Sequence, residues 1–228
     1  MNPPSCALPN RRTALRVLTA GAAATVVPAL LGCETAPTGR RYRTATGSSD
    51  RIVMVIRHGE KPGKSGTAPA GIDLRGAVDT HSLTERGWTR AAYLADLFGP
   101  QSPAGLPTPT VIYASGNGRG SGEGTRPRET VGPLAAALNL PIDTTFSRGQ
   151  ETALATDAAQ QAGPVLICWQ HESIPAIGAA FAPEPNPPGV WPDDRYDLIW
   201  LFTADTDGWR FQQLDQRLLP GDATPTSY

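Results

Sequence analysis

Apolar and polar positions along this chain fall into blocks with two different periods. Ile52-Val53-Met54-Val55-Ile56 is an uninterrupted apolar run rich in β-branched side chains, which predicts a strand covered on both faces. From Thr84 onward, Trp88, Ala91, Ala92, Leu94, Ala95, Leu97 and Phe98 trace one helical face, and Gly99-Pro100 ends it. Thr110-Val111-Ile112-Tyr113-Ala114 predicts a second strand and Pro127 to Leu138 a second helix. A weaker, Ala-rich helix follows from Glu151 to Gln161. Val165-Leu166-Ile167-Cys168-Trp169 is the third strand, with a helix from Ser173 or Pro175 to Phe181. Tyr196 to Thr203 and Trp209 to Leu214 flank Ala204-Asp205-Thr206-Asp207-Gly208, where Asp-Gly predicts a hairpin on the sheet edge. Strands separated by helical spans place the chain in the α/β class, as a three-layer sandwich with a mainly parallel central sheet. Ligands of such sheets gather at the carboxyl ends of the strands.

The first 32 residues stand apart. They hold three arginines, Arg11, Arg12 and Arg16, and no acid, followed by the uncharged stretch Val17 to Gly32. A basic head, a short apolar middle and small residues at its end describe a secretory signal peptide over 1–32. With Pro28 inside it, that stretch is shorter than the ~20 residues a membrane span needs. Leu30-Leu31-Gly32-Cys33 resembles a bacterial lipoprotein box, which implies cleavage before Cys33 and lipid on its thiol. Arg11-Arg12-Thr13-Ala14-Leu15-Arg16 resembles a twin-arginine export signal, an ordinary Sec signal being the alternative. Residues 33–50 read as a polar tether and 51–228 as one domain, exported, extracytoplasmic and lipid-anchored to a bacterial membrane.

Composition narrows the choice of chemistry. A net charge of −1 over 228 residues removes the electrostatic case for a nucleic-acid partner. Cys6 falls in the signal, Cys33 is the acylation site and Cys168 lies within an apolar run. Neither an intrachain disulfide nor a metal site follows from these.

The chemistry sits at three strand ends. The first strand runs into Arg57-His58-Gly59-Glu60. A histidine beside a fixed cation is discouraged from protonating, and a planar guanidinium suits phosphate oxygens. The second strand ends at Ser115. A Gly-rich segment, Gly116 to Gly124, which reads as a flexible loop, leads from there to Thr125-Arg126-Pro127-Arg128-Glu129-Thr130. Pro127 in the first helical turn places Arg126 at a helix N-terminus, where the dipole favours an anion. The third strand ends in Trp169-Gln170-His171-Glu172. Of three histidines in the chain, two therefore occupy equivalent strand ends.

These residues resemble the histidine phosphatase superfamily, whose fold is phosphoglycerate mutase-like. The resemblance rests on Arg57-His58-Gly59, on Ser115 with Arg126-x-x-Glu129-Thr130, on His171, and on Leu83-Thr84-x-x-Gly87 opening the intervening helix. It covers roughly residues 51–180. It implies that His58 attacks phosphorus and becomes a phosphohistidine, while Arg57, Arg126 and His171 hold the phosphoryl oxygens. It further implies hydrolysis of a phosphomonoester, on a small molecule or phosphopeptide, with no metal or other cofactor. Gly59, Glu60 and Ser115 are the expected substrate-binding positions. Glu172 is the first choice for the acid that protonates the leaving alcohol, with Glu60 and Glu123 as rivals. Arg119 and Arg128 compete with Arg126 for the second arginine's role.

Other readings stay open at this point. A surface lipoprotein could bind a phosphorylated ligand without turnover, or the domain could be a phosphoglycerate mutase-like phosphotransferase. Gly59-Glu60-Lys61-Pro62-Gly63-Lys64-Ser65 echoes a P-loop, but three residues rather than four separate its glycines and Pro62 lacks an N–H for the phosphate cradle. His81 is expected at the helix entry and Ser82 or Thr84 as that helix's cap. Trp169 and Trp191-Pro192 read as packing.

Overall fold

The computed structural model describes residues 51–63, 68–118 and 122–222; the expectations for the signal peptide, Cys33 and the tether lie outside them. In chain order the elements are β1 (Ile52–Arg57), α1 (Glu85–Leu97), β2 (Val111–Ala114), α2 (Thr125–Leu138) and β3 (Ile142–Asp143). Then follow α3 (Glu151–Ala158), β4 (Val165–Trp169), α4 (Ile174–Ala180), β5 (Leu198–Asp205) and β6 (Gly208–Asp215). One six-stranded sheet has the order β3-β2-β4-β1-β5-β6. The strands from β3 to β1 pair in parallel, whereas β5 runs antiparallel to β1 and to β6. The sheet is therefore mixed, since the expected hairpin supplies two of its strands. Of the hairpin's two strands β6 lies at a sheet edge, opposite the edge formed by β3, and β5 is interior.

All six residues of β1 are buried, because β1 is covered on both faces. The pleat divides them between two cores. Ile52, Met54 and Ile56 pack with Leu94 and Leu97 of α1 and Val131 and Leu134 of α2. Val53 and Val55 pack with Leu154 of α3 and with Ile174 and Ile177 of α4. Helices on both faces of one sheet make the three-layer α/β sandwich.

Local chemistry sets the element ends. Thr84 caps α1, its Oγ1 accepting the Gly87 N–H at 3.2 Å. Asn139, in the left-handed region at φ 53°, closes α2. α3 stops at Ala158, short of the expected Gln161. β3 was not foreseen: two residues leave no periodic trace in a sequence. Among the described residues, no helix is long and apolar enough to cross a membrane.

Candidate active site

Parallel pairing brings the three chemistry-bearing strand ends side by side. Arg57 of β1 is in register with Trp169 of β4, and Ala114 of β2 with Cys168. The ladder runs one residue past each strand: His58 N–H donates to the Trp169 carbonyl (3.1 Å) and Ser115 N–H to the Cys168 carbonyl (3.3 Å). His58, Ser115 and Gln170-His171 thus leave the sheet together.

His58 is buried, 3% exposed. Its Nδ1 lies 2.7 Å from the Gly59 carbonyl oxygen. A carbonyl only accepts, so Nδ1 carries the proton and Nε2 keeps its lone pair. Burial, with Arg57, Arg126 and Lys61 nearby, holds the imidazole down to about 3, against an upward pull from the Gly59 carbonyl. The ring is a neutral base at physiological pH.

Arg57 is fully buried. Its Nη1 donates to the main-chain carbonyls of Asp193 (2.6 Å), Arg195 (3.1 Å) and Pro192 (3.4 Å), and its guanidinium carbon lies 3.8 Å from the centre of the Tyr196 ring. Nε and Nη2 are buried without a hydrogen-bond partner. Those two atoms form one edge of the guanidinium, the edge that grips two oxygens of a carboxylate or phosphate at once. Leaving them unsatisfied costs on the order of 1–3 kcal/mol, which an oxyanion would recover.

Arg126 lies in the first turn of α2 and is half-buried. Its Nη2 donates to the Thr80 carbonyl at 2.6 Å and its Nε to that of Ser82 at 3.4 Å. The guanidinium thus fastens the 80–82 segment as well as bearing on His58. Glu129, one turn on, holds the same segment: Leu83 N–H donates to its Oε2 (2.9 Å), and the Ser82 hydroxyl lies 2.7 Å from its Oε1. Thr130 accepts the Gly59 N–H at 2.8 Å. The Arg126-x-x-Glu129-Thr130 spacing therefore also works as a clamp on the turns around His58.

His171 is buried, with Nε2 2.9 Å from Asp193 Oδ1. Its Nδ1 is 3.0 Å from Glu172 Oε2 but is not aligned to hydrogen-bond it. Burial, then Arg57, push the ring's affinity for a proton down, while Glu172 and Asp193 pull it up. Glu172 is half-exposed beside it.

Three residues expected to bind substrate have partners within the protein. The Glu60 carboxylate is taken by Arg90 (2.8 Å) and Arg86 (3.0 Å), because α1 presents two arginines to it, and Asp222 completes the cluster 2.7 Å from Arg90. Ser115 is fully buried and its hydroxyl accepts from the Gln170 amide at 3.0 Å, so it supports the turn beneath His171. Gly59 lacks a side chain for packing reasons: a Cβ there would lie 3.0 Å from the Gly87 carbonyl oxygen of α1. The described ends of the Gly-rich segment are closely packed, and residues 119–121 lie outside the described residues. A Cβ on Gly116 would meet the Thr144 carbonyl oxygen at 2.6 Å, and one on Gly124 the Ser115 carbonyl oxygen at 2.3 Å. Arg119 lies outside the described residues. His81 is exposed, 3.5 Å from Asp79.

Sequence reasoning missed Lys61, Gln170, Asp193 and Tyr196. Lys61 and Gln170 adjoin the two motifs and were within reach. Asp193 and Tyr196 lie more than 130 residues from Arg57, and only the fold brings them to it. Among the described residues no group of three or more His, Cys, Asp or Glu is arranged to hold a metal ion.

No family model matches the sequence, and no curated protein does. Solved structures with a similar backbone include a phosphoserine phosphatase variant from Entamoeba histolytica in complex with phosphoserine. It shows 10% identity over 74% of this chain and 98% of that one, with a TM-score of 0.49. The protein histidine phosphatase SixA complexed with tungstate shows 18% identity over 72% and 97%, with a TM-score of 0.46. A mycobacterial glucosyl-3-phosphoglycerate phosphatase complexed with VO3 shows 13% identity over 72% and 97%, with a TM-score of 0.41.

Proposed function

We propose that this protein is a phosphatase that hydrolyses phosphomonoesters through a phosphohistidine on His58. The observation that carries the reading is a neutral, buried imidazole whose Nε2 lone pair is free, set beside a buried guanidinium with its bidentate edge unoccupied. A phosphate monoester dianion repels anionic nucleophiles, so an uncharged nitrogen backed by fixed cations suits it. His58 Nε2 attacks phosphorus as the ester P–O bond breaks. The edge of Arg57, with Arg126, Lys61 and His171, balances charge on the phosphoryl oxygens. Glu172, half-exposed beside His171, gives its proton to the departing alkoxide. Water then attacks the phosphohistidine, its proton goes to Glu172, and inorganic phosphate leaves. Side-chain cations do the electrostatic work, so the reaction is proposed to need no metal.

We further propose export and anchoring through lipid on Cys33, from the resemblance of residues 1–33 to a lipoprotein signal. Labelling with a radioactive or clickable fatty acid in a bacterial host, lost in Cys33→Ser, tests this part alone.

The catalytic reading is tested with a chromogenic aryl phosphate in excess chelator. Turnover is expected, with His58→Ala inactive and with acid-labile, base-stable phosphate trapped on the wild-type chain. Turnover that persists in His58→Ala, or that requires an added divalent metal, overturns it.

A further inference from the structure

The loop between α4 and β5 contributes one residue that no motif singled out, and it touches two of the strand ends at once. The Asp193 carbonyl accepts from Arg57 Nη1 at 2.6 Å, and its carboxylate meets His171 Nε2 at 2.9 Å. The rest of this loop is firmly seated. Arg57 also holds the carbonyls of Pro192 and Arg195, the Trp191 indole N–H donates to the Arg195 carbonyl (2.8 Å), and Tyr196 lies against the Arg57 guanidinium. The backbone of Asp193 is thus fixed at the end of β1 while its side chain, 95% exposed, reaches the buried imidazole at the end of β4.

A carboxylate at this distance has two effects on an imidazole. It accepts only, so Nε2 carries a proton and the neutral ring keeps its lone pair on Nδ1. It also stabilises the imidazolium, which a negatively charged oxygen favours over the neutral ring. The second effect decides the chemistry. A ring with a bare Nδ1 has no proton to offer a phosphoryl oxygen from that nitrogen; a ring protonated on both nitrogens has one, and a positive charge besides. The other charged groups facing His171 are Arg57 at the end of β1 and Lys61 beyond it, which oppose protonation, and Glu172 at the entry of α4, which favours it only while ionised and not while it holds the proton for the leaving group. With two cations against it and Glu172 protonated ahead of phosphoryl transfer, the imidazolium depends on Asp193. An arriving phosphate dianion adds negative charge in the same place.

We infer that Asp193 is a positioning residue that works through His171, fixing its ring by the Nε2 bond and keeping it able to become the imidazolium that grips the phosphoryl group. The inference rests on the phosphatase reading for its catalytic consequence but not for its physical core, and the test separates the two. Asp193→Asn keeps an oxygen acceptor and removes the charge; Asp193→Ala removes both. Neither variant touches the main-chain bonds to Arg57, so both are expected to fold.

The chain has three histidines, so His58, His81 and His171 can be assigned by NMR with single His→Gln variants. The His171 titration midpoint is expected to fall by roughly 0.5–1 pH unit in Asp193→Asn, at the low end for a close opposite charge because the carboxylate is exposed. In the wild type, inorganic phosphate is expected to raise that midpoint, and less so in the variant. For turnover of the aryl phosphate, the basic limb of kcat/KM is expected to move to lower pH by a similar amount in Asp193→Asn, with Asp193→Ala more strongly impaired. An unmoved His171 midpoint overturns the inference even if the enzyme is active. A moved midpoint in a protein without phosphatase activity upholds the dyad and overturns the phosphatase reading instead. An unmoved kcat/KM limb beside a moved midpoint overturns the catalytic role of the imidazolium.

Discussion

Acid is expected to weaken the fold through His58. The ring is buried and held to about 3, against an ordinary value near 6.5. Between these two values the unfolded chain binds a proton that the native protein refuses, so stability is full above about pH 6.5 and is lost as pH falls towards 3. Each pH unit within that window removes at most about 1.4 kcal/mol. From pH 6.5 to 4.5 the loss attributable to this ring is about 2–3 kcal/mol, a large share of the ~5–15 kcal/mol that typical domains possess. Carboxylates and His171 also titrate in this range, so the informative quantity is a difference. His58→Gln retains a planar polar side chain that does not ionise here. Urea unfolding of both proteins at half-unit steps from pH 7 to 4.5 gives two stability curves. The wild type is expected to lose about 2–3 kcal/mol more than the variant across the range. A difference that stays flat to within about 0.5 kcal/mol, the ordinary scatter for independent sites, would show that His58 takes up protons equally in both states, and the account of a desolvated neutral imidazole fails.

Other outcomes follow from packing and pairing. In Gly87→Ala the new Cβ would lie 2.7 Å from the Glu60 carbonyl oxygen, a backbone atom that cannot rotate away; a loss of about 1–3 kcal/mol in chemical denaturation is expected, with reduced turnover because the shifted turn carries His58. Arg90→Leu takes the buried guanidinium from Asp222 and Glu60 and leaves both carboxylates to the half-exposed Arg86, and should lower stability by about 3 kcal/mol, the low end for a broken buried pair, at pH 7. The deficit should shrink as acid neutralises the carboxylates. Arg57→Lys replaces the two-nitrogen edge with a point charge, so kcat should fall by about 10²–10³-fold while thermal unfolding moves by only a few degrees. A kcat within twofold of wild type would remove Arg57 from the site.

Residues next to one another in sequence were legible from the sequence. The apolar run at 52–56, the helix entered at Thr84 and the strand at 165–169 follow from local periodicity, because burial on two faces demands an unbroken apolar strand and burial on one demands a helical stripe. Arg57-His58 and His171 were legible for a related reason: in a parallel sheet, residues just past the strands share one edge wherever the strands lie in the chain. The pairing directions were less so. An antiparallel β5 inserted beside β1 and a two-residue β3 depend on which edges find each other, and no local period records that.

Only the tertiary structure decided how the polar groups divide their work. Glu60 was read as facing substrate, yet α1 turns Arg86 and Arg90 to it, and a buried carboxylate goes to the nearest cation. Gly59 is a glycine beside a histidine in the sequence, and the fold shows that the group approaching it closely is the Gly87 backbone of α1. Arg57 spends one nitrogen on a loop more than 130 residues away and keeps one edge free, a division set by where that loop closes. Asp193 reaches His171 by the same closure. Sequence fixes which groups are available and their spacing along the chain; hydrogen bonds and ion pairs act over about 3 Å in space, and only the folded backbone says which groups come that close.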